Sequence, residues 1–529
     1  MPATAAPVRL GRAALVSAAT FASRLLGLAR DQLFAALVGA NAFSDAFVAA
    51  FRIPNLLRDL FAEGALSSAF VPTFADYQHR RGPAEAYRLA GLVFGLLLAI
   101  VGTLVLLGEL GAGGLVALVA PGFSETRALT VLLTRIMMPF LLLVSLSAAA
   151  MGILNAQSRF AAPALAPAMF NVGSIAVGLL LWAAGLGPRG AVVGWSVGTL
   201  LGGSLQLAVQ WPALRRSGCP LHPSLARAFS EPGVRRIGRL MGAAVVGLAA
   251  TQVNIVVNTH FASREPGAVS WLNYAFRLMQ FPLGVFGVAI ATVAEAGVAQ
   301  KAAEHDRAAL EETLGRALRL VAFLNVPSAV GLIVLAEPIV ALLYQHGRFA
   351  AADTAATAGA LRCYALGLYG YSSVKVLAPA FYALDRARVP LLASFLGMAV
   401  NVSLNLALYP ALGFRGVALG TSLAATVNFA VLAAAYRWQG GRLGGGLLRQ
   451  GTRVLLASLA MAIVALGALL ALRPLLAGRG LPGALGLALG PVLVAALAYF
   501  ALAHLLGLEE VPRLLGALGH LRPAGGRTA

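Results

Sequence analysis

The sequence predicts an all-α polytopic membrane protein with about fourteen transmembrane helices. Hydrophobic residues make up 59% of the 529 positions and charged residues only 11%, a balance that soluble globular domains do not have. Apolar runs of the roughly 20 residues that a bilayer span requires recur along the chain. No segment between them is long and polar enough to form a soluble domain.

Turn-forming and charged residues separate the apolar runs and set the ends of the predicted helices. The first run is too long, and too charged in its middle, for a cleavable signal peptide. The second helix is expected to break at Pro54 and the eighth at Pro282, because proline removes a backbone donor. The predicted helices span 12–38, 42–76, 86–109, 126–154, 163–185, 189–211, 236–262, 268–299, 312–336, 354–383, 389–409, 414–437, 451–473 and 482–506.

The distribution of basic residues predicts the orientation. With the N-terminus placed in the cytoplasm, 25 of the 40 lysines and arginines fall in cytoplasmic segments, 7 on the opposite side and 8 within helices. This bias predicts that both termini are cytoplasmic. The formal net charge of +20 suits loops beside anionic lipid. We expect no nucleic-acid partner, because no soluble basic module exists. The two cysteines form no metal-binding spacing.

Three motifs recur at nearly one offset and predict an internal duplication. Phe51-Arg52-Ile53 recurs as Phe276-Arg277-Leu278 after 225 residues, and Arg159-x-x-x-Pro163 recurs as Arg386-x-x-x-Pro390 after 227. The glycine motif beginning at Gly187 recurs from Gly413 after 226. Each unit holds six helices, an even number, so the two copies run in the same direction across the membrane. The predicted divisions are 1–212 with helices 1–6, 213–438 with helices 7–12, and 439–529 with the last two helices and a cytoplasmic tail.

The first predicted helix carries charge at membrane depth, where it is costly unless it faces a bundle interior or a wet path. Arg24 and Asp31 are seven residues apart, which places them on one face of a helix and predicts that they pair. Arg30 is then left over as a candidate ligand for an anion.

The second and eighth helices carry further charge. Asp45, Arg52 and Asp59 are spaced by seven and form one stripe, which either neutralises itself or faces a ligand. Arg58 lies off that stripe and has no obvious local acid as a partner, so we expect it to bind a ligand. No acid lies within a turn of Arg277, which we expect either to bind a ligand or to pair with an acid on another helix. Guanidinium groups that converge on one cavity suit a phosphate, which they bind in a bidentate manner.

Two asparagines, Asn401 and Asn405, lie four residues apart on one face of the eleventh helix. An interhelical hydrogen-bond pair and a cation site are both open interpretations. No Walker loop, Ser-His-Asp set or metal-hydrolase spacing occurs in the sequence, so we expect neither an enzyme nor a cofactor.

Eight motifs along the chain follow a shared pattern: Ser23-Arg24-Leu-Leu-Gly27-Leu-Ala-Arg30-Asp31, Asp45-Ala-Phe, Pro54-Asn55-Leu-Leu-Arg58-x-x-Phe61-Ala62-Glu63-Gly64-Ala65, Ala120-Pro121-Gly122-Phe123, Ile153-Leu154-Asn155, Ser270-Trp271, Arg277-Leu278-Met279-x-Phe281-Pro282-x-Gly284-Val285 and Lys375-Val-Leu-Ala-Pro379-x-Phe-Tyr382. These motifs resemble those of the MurJ family, also called MviN, the lipid II flippases of bacterial peptidoglycan synthesis. They cover helices one to eleven, while the last two helices match by position and hydropathy only.

The resemblance implies the fold of the MOP exporter superfamily, with two six-helix lobes around a cationic cavity and two further helices that form a groove for the lipid tail. The implied substrate is lipid II, undecaprenyl-pyrophosphate-linked disaccharide pentapeptide. Membrane lipids and other cell-wall synthesis proteins are the implied partners, in the bacterial inner membrane. The implied substrate-binding residues are Ser23, Arg24, Arg30, Asp31, Asp45, Arg58, Glu63, Ser270 and Arg277.

The chain departs from the family pattern at a sodium site that some members have on helices seven and eleven. The matching positions are Asn258, Asn401, Asn405, Val417 and Thr421. Because none is a carboxylate, we expect weak sodium binding at most. Coupling to the membrane potential or to protons stays open.

The function predicted from these observations is flipping of lipid II by alternating access, with the pyrophosphate held by arginines. Two alternatives remain: an exporter of another polyprenyl-linked oligosaccharide, and a multidrug exporter of the same superfamily. A cationic drug suits an arginine-rich cavity poorly.

Overall fold

The computed structural model describes residues 10–59, 65–218, 221–444 and 446–512. Every regular element within these ranges is a helix, which confirms the predicted all-α class. Eleven of the described helices are long and apolar enough to cross a membrane. The predicted spans 12–38, 42–76 and 354–383 are not among the eleven, because the first two carry charge and the second and third are divided into shorter helices. The count of fourteen stays a prediction.

The chain divides into two compact units. Unit 1 comprises Met1–Ser270 with the short segment His346–Ala350, and unit 2 comprises Trp271–Gln345 with Ala351–Ala529. This boundary lies later than the division at 212/213 that the repeat predicts, because α11 (Pro232–Ala262) packs along α3 (Ala65–Arg80). The assignment of six helices to each repeat is a separate matter and stays a prediction.

Within the described residues, unit 1 contains the first eleven α-helices and the start of the twelfth. Beside α3 and α11, they are α1 (Leu10–Val38), α2 (Ala42–Arg58), α4 (Pro83–Leu110), α5 (Ala112–Val119), α6 (Arg127–Met137), α7 (Phe140–Ala156), α8 (Ala161–Ala183), α9 (Pro188–Ala208) and α10 (Trp211–Arg216). α8 and α9 pack as a pair, α1 packs along α8, and α4 and α3 both pack against α7. The core of unit 1 is built from buried aromatic and aliphatic side chains of α2, α3, α4 and α7, such as Phe70, Phe74 and Leu141.

Unit 2 contains the rest of α12 and nine further helices. α18 pairs with α19, and α17 packs against α13, α14 and α19. The helices are α12 (Ala268–Pro282), α13 (Val288–Ala303), α14 (Arg307–Val334), α15 (Ala336–Tyr344), α16 (Ala351–Ala365), α17 (Leu368–Ala383), α18 (Arg388–Leu412), α19 (Phe414–Trp438), α20 (Leu447–Leu476) and α21 (Gly480–Leu505).

The last two helices, α20 and α21, pack against each other and against α14. The Tyr499 hydroxyl donates to the Phe323 carbonyl at 2.7 Å, and Val454 and Met461 are buried in the same cluster. Their other faces expose large apolar side chains, among them Ile463 at 75% and Leu497 at 74%. Such faces are suited to lipid contact.

The two predicted proline breaks have different outcomes. The prediction for Pro54 was wrong: α2 continues through it and ends at Arg58. A membrane helix tolerates proline where neighbouring groups satisfy the freed carbonyl. At Pro282 the interruption is present, because α12 ends there and a π-helical turn, Leu283–Gly287, leads into α13. π-helical turns are frequent at functional sites in helical proteins.

Two turns 227 residues apart share their backbone and side-chain roles. Ser158 and Asp385 both adopt left-handed backbone, with φ of 59° and 57°. The arginine that follows each then binds the end of a later helix: Arg159 donates to the Arg216 carbonyl at 3.2 Å, and Arg386 donates to the Gln439 side chain. Equivalent roles at equivalent positions are what a duplication predicts.

Candidate functional site

The charged residues of α1 are held by α8. Arg30 and Asp31 form an ion pair at 3.0 Å and are almost buried, with side chains 13% and 12% exposed. The Arg30 guanidinium also lies over the Phe170 ring, 5.3 Å from its centroid. The neighbouring Asn171 donates to the Ser23 carbonyl at 3.0 Å, so α8 supports both ends of this charged stretch.

The predicted pairing of Arg24 with Asp31 was wrong. Arg30 takes Asp31 as its partner, and Arg24 is exposed. Adjacent residues on a helix point about 100° apart, so helical spacing did not predict that Arg30 pairs with its neighbour Asp31. The long arginine side chain can bend back, and a nearby carboxylate is strongly favoured where the dielectric constant is low.

The expectation that Arg58 lacks a local acid was also wrong. At the end of α2, Arg58 pairs with Asp59 at 2.9 Å, with side chains 26% and 36% exposed. Gln252 of α11 donates to the other Asp59 oxygen at 3.3 Å. Arg52, one turn and a half earlier, donates to the Thr259 hydroxyl of α11. The candidate residue Glu63 lies outside the described residues.

Asp45 is fully buried and binds the first turn of α12. Its carboxylate accepts from the Gly267 amide at 2.6 Å and from the Ser270 amide at 2.8 Å. The Ser270 hydroxyl lies 2.7 Å from the same carboxylate and 2.8 Å from the Ser44 hydroxyl. A carboxylate is favoured at a helix N-terminus, where unpaired amides and the helix dipole attract negative charge. The structure thus brings together two predicted site residues, Asp45 and Ser270.

The Ser44–Ser270 contact has a further property. The two serines are 226 residues apart, the offset of the predicted repeat, and each lies at the start of its helix.

Arg277, the remaining predicted arginine, lies on the part of α12 that belongs to unit 2 and is exposed. Its neighbour Phe276 packs edge-on against Tyr364 at 5.3 Å and against Tyr371 at 6.5 Å between ring centroids. These rings fix the face of α12 that precedes the π-helical turn.

Four of the five residues at the predicted sodium site lie in unit 2 and are hydrogen-bonded to one another. They are Asn401, Asn405, Val417 and Thr421. Asn405 donates to Asn401 at 3.0 Å, Asn401 donates to Thr421 at 3.2 Å, and Thr421 donates to the Val417 carbonyl at 2.7 Å. Asn258 belongs to unit 1. Within the described ranges, no group of three or more His, Cys, Asp or Glu residues could hold a metal ion. This donor set joins α18 to α19 and is a poor fit for Na⁺, because it offers no carboxylate.

Sequence reasoning missed several residues that support the site. Asn41 and Ser44 form a capping box at the start of α2, a pattern that their three-residue spacing could have revealed. Phe170, Asn171 and Gln252 come from distant helices, and no local signal in the sequence marks them.

Comparison with known proteins identifies the family. The family model described as lipid II flippase MurJ matches residues 34–489, most of the chain. The chain belongs to the MurJ family. A probable lipid II flippase MurJ of Rhizobium meliloti (strain 1021) is 38% identical over 431 residues, covering 81% of this chain and 80% of the relative. The lipid II flippase MurJ of Burkholderia cenocepacia is 36% identical, covering 80% and 83%.

Solved structures agree with this MurJ assignment. A lipid II flippase MurJ in an inward closed conformation aligns with a TM-score of 0.76 at 27% identity, covering 93% of this chain and 98% of that one. An inward-facing multidrug resistance MATE transporter of the MOP superfamily aligns with a TM-score of 0.68 at 17% identity, covering 79% and 94%. The second match shows the fold alone. This MurJ-family chain is a multi-pass membrane protein with a MOP-type transporter fold.

Proposed function

We propose that this chain flips lipid II from the inner to the outer leaflet of the bacterial cytoplasmic membrane. The observation that carries the proposal, beside family membership, is the pair of largely buried arginines, Arg30 and Arg58, in unit 1. Arg30 and Arg58 each lie beside an acid within apolar helices, at 3.0 Å and 2.9 Å. Charged side chains within apolar membrane helices are costly, and proteins retain them where they contact a charged solute.

The neighbouring acids explain how apolar helices accommodate these arginines. An unpaired guanidinium in a low-dielectric interior is costly, and Asp31 and Asp59 offset that cost. A pyrophosphate carries more negative charge than a carboxylate and accepts bidentate bonds from arginine. We infer that the pyrophosphate competes with the acids for Arg30 and Arg58, and that Arg277 is the third arginine that grips it. Ser23, Arg24 and Glu63 belong to the same proposed substrate-binding set.

Asp45 and Ser270 have a different proposed role. Their bonds fasten the start of α2 to the start of α12. Alternating access requires that helices separate on one side while they close on the other. We propose that this buried cluster holds one closed state and that its bonds are exchanged for bonds to water when the transporter opens.

The orientation follows from the arginine bias, with both termini cytoplasmic. The cluster of Asp45 and Ser270 then lies toward the outer face. The prenyl tail stays in the bilayer, and only the head group crosses. We propose no covalent step and no coupling through Na⁺.

The test is depletion of the native gene in its host. We expect lipid II to accumulate and to stay protected from a membrane-impermeant enzyme that cleaves it on the outer face. Re-expression of the wild-type chain should restore cleavage, whereas Arg58→Ala, inserted at equal level, should not. Accumulation of a different polyprenyl-linked oligosaccharide, with normal exposure of lipid II, would refute the substrate assignment.

A further inference from the structure

Unit 2 contains a pocket at one end of its helices, which we call the basic pocket. It lies where the α13–α14 turn, the α17–α18 turn and the end of α19 meet. Its volume is about 240 Å³. Sites for drug-sized ligands are typically about 300–1,000 Å³, so the basic pocket is suited to a smaller group.

Basic side chains line the pocket on several sides. Lys301 lies in the last turn of α13, His305 lies in the turn that follows, Arg307 begins α14, and Arg386 lies in the α17–α18 turn. No acidic side chain lines it. The acids Glu304 and Glu311 lie behind the lining and bind Lys301 at 2.7 Å and Arg307 at 3.3 Å.

The two arginines converge on one neutral residue. Arg307 donates to the Gln439 carbonyl at 3.1 Å, and Arg386 donates to the Gln439 side-chain oxygen. Among the described residues, Arg386 forms no ion pair. Its charge is therefore not offset by a carboxylate, in contrast to that of Arg307. Two guanidinium groups held on one residue present several N–H donors to an anion.

The floor of the pocket is apolar. Leu310 is 3% exposed and Tyr436 is 4% exposed, while the part-buried Ala302 and the exposed Leu384 add further apolar lining. Gly441 lies against the Tyr436 ring, where a Cβ atom would come within 2.4 Å of a ring carbon. The backbone after α19 thus closes the floor tightly. A basic rim above an apolar floor suits an amphiphile whose charged group is a phosphate.

The pocket lies at the ends of helices that are long enough to cross a bilayer, and the predicted orientation places this end in the cytoplasm, where we expect lipid head groups. α13, α14 and α19 belong to helices of 36, 28 and 25 residues that are long enough to cross a bilayer, and the pocket lies at their ends. Basic pockets between transmembrane helices on the cytoplasmic side bind anionic lipid head groups. We propose that the basic pocket binds a phosphate group, carried by an anionic glycerophospholipid or by a soluble phosphate ester. This site is separate from the proposed substrate site.

Binding to the purified full-length chain in detergent tests the proposal. The probes are dioctanoyl phosphatidylglycerol, dioctanoyl phosphatidylcholine and glycerol 3-phosphate. We expect phosphatidylglycerol to bind and Arg386→Gln to weaken it roughly five- to tenfold, since each arginine near an anionic head group contributes about 1 kcal/mol or slightly more. Glycerol 3-phosphate that binds as tightly as phosphatidylglycerol would identify a soluble phosphate ester as the ligand.

The matched control is Arg159→Gln. Arg159 binds the end of a helix in unit 1 as Arg386 does in unit 2, but it does not line the basic pocket. It should change thermal stability to a similar degree and leave phosphatidylglycerol binding unchanged. If Arg386→Gln does not fold, Arg386→Lys is the alternative variant. Lysine keeps the positive charge but lacks the planar guanidinium group, so this variant should weaken phosphatidylglycerol binding by a smaller factor.

Two results would overturn the proposal. One is the absence of saturable binding of both phosphatidylglycerol and glycerol 3-phosphate. The other is equal binding by the wild type and both Arg386 variants, or equal binding of phosphatidylcholine. Because transport of lipid II is not measured, either result leaves the proposed function as it stands.

Discussion

Asp31 provides the sharpest test at the scale of single residues. If pyrophosphate competes with Asp31 for Arg30, Asp31→Asn should bind lipid II roughly tenfold more tightly, because a like charge beside the ligand is removed. The Asp31→Asn variant should also flip lipid II more slowly, since a more tightly bound substrate is released more slowly. Binding to purified protein and flipping in proteoliposomes measure the two effects. Asp76→Asn is the matched control, because it removes a part-buried carboxylate that pairs with Arg80 and with Arg236 of α11, outside the proposed substrate-binding set. Weaker lipid II binding by Asp31→Asn would contradict the competition.

Asp45 is the residue on which the start of α12 depends. Asp45→Asn keeps one acceptor oxygen but loses the negative charge and the second accepted bond. We expect a loss of about 1–3 kcal/mol in the free energy of unfolding, and a smaller loss of about 1 kcal/mol for Ser270→Ala. Thermal unfolding in detergent measures both. An unchanged midpoint for Asp45→Asn would show that the buried carboxylate does not stabilise this closed state.

The sequence predicted which segments contain the site better than it predicted the partner of each side chain. The sequence marked Arg30, Asp31 and Arg58 as site residues, and the motifs around them showed the family. Their partners were assigned wrongly, because helical spacing describes where a Cβ points and not where a flexible guanidinium group ends. Asp45 lies against Ser270 through the fold alone, across 225 residues of chain.

At the scale of elements, the segment His346–Ala350 shows how a loop can be fixed by two glycines. The Arg348 amide donates to the Ala36 carbonyl at 2.9 Å at the end of α1. Gly347 has φ of 59°, and a Cβ atom there would lie 2.4 Å from the Ala36 oxygen. At Gly39, with φ of 80°, a Cβ atom would lie 2.7 Å from the Arg348 oxygen.

We therefore expect Gly347→Ala to destabilise the protein by more than about 1 kcal/mol, because strain and a clash with backbone add together. Gly113→Ala is the control, since nothing lies within 4 Å of its added Cβ atom and it is within a helix. The unfolding midpoint of purified protein is the measurement. Equal midpoints for the two variants would show that the contact with α1 contributes little to stability.

The sequence predicted helix bounds well where apolar runs are long. It predicted them poorly where tertiary packing determines where a helix ends. Hydropathy located α4, α20 and α21 closely, because each is a long and strongly apolar run. It gave no indication that 354–383 divides at residues 366–367 or that 42–76 ends its first helix at Arg58. Nor could it show that α11 packs with unit 1, because that choice depends on contacts with α3.

At the scale of the whole molecule, the predicted sodium site contains no carboxylate. We therefore expect the membrane potential, and not a sodium gradient, to drive transport. Asn401, Asn405 and Thr421 are already bonded to one another and carry no negative charge to offset the dehydration of Na⁺. We expect flipping to be unchanged when K⁺ replaces Na⁺ and to stop when the membrane potential is dissipated. Asn405→Ala should lower stability with little effect on rate. A sodium requirement that Asn405→Ala abolishes would contradict this.

The fold class and the family could be predicted from the whole chain, because composition and motifs are distributed over most of its length. The relation between the two repeats is suggested by three short sequence matches, and it stays a prediction. The basic pocket could not have been predicted, because its residues come from three separate turns that only the fold brings together.

The central claim is that arginines within the membrane carry the head group of lipid II across. The most direct measurement is the rate at which labelled lipid II becomes accessible on the far side of proteoliposomes containing the purified chain. We predict a rate well above that of protein-free vesicles, abolished by Arg30→Ala, Arg58→Ala or Arg277→Ala and partly restored by lysine at each position. Flipping at the wild-type rate by all three alanine variants, in folded protein, would contradict the account.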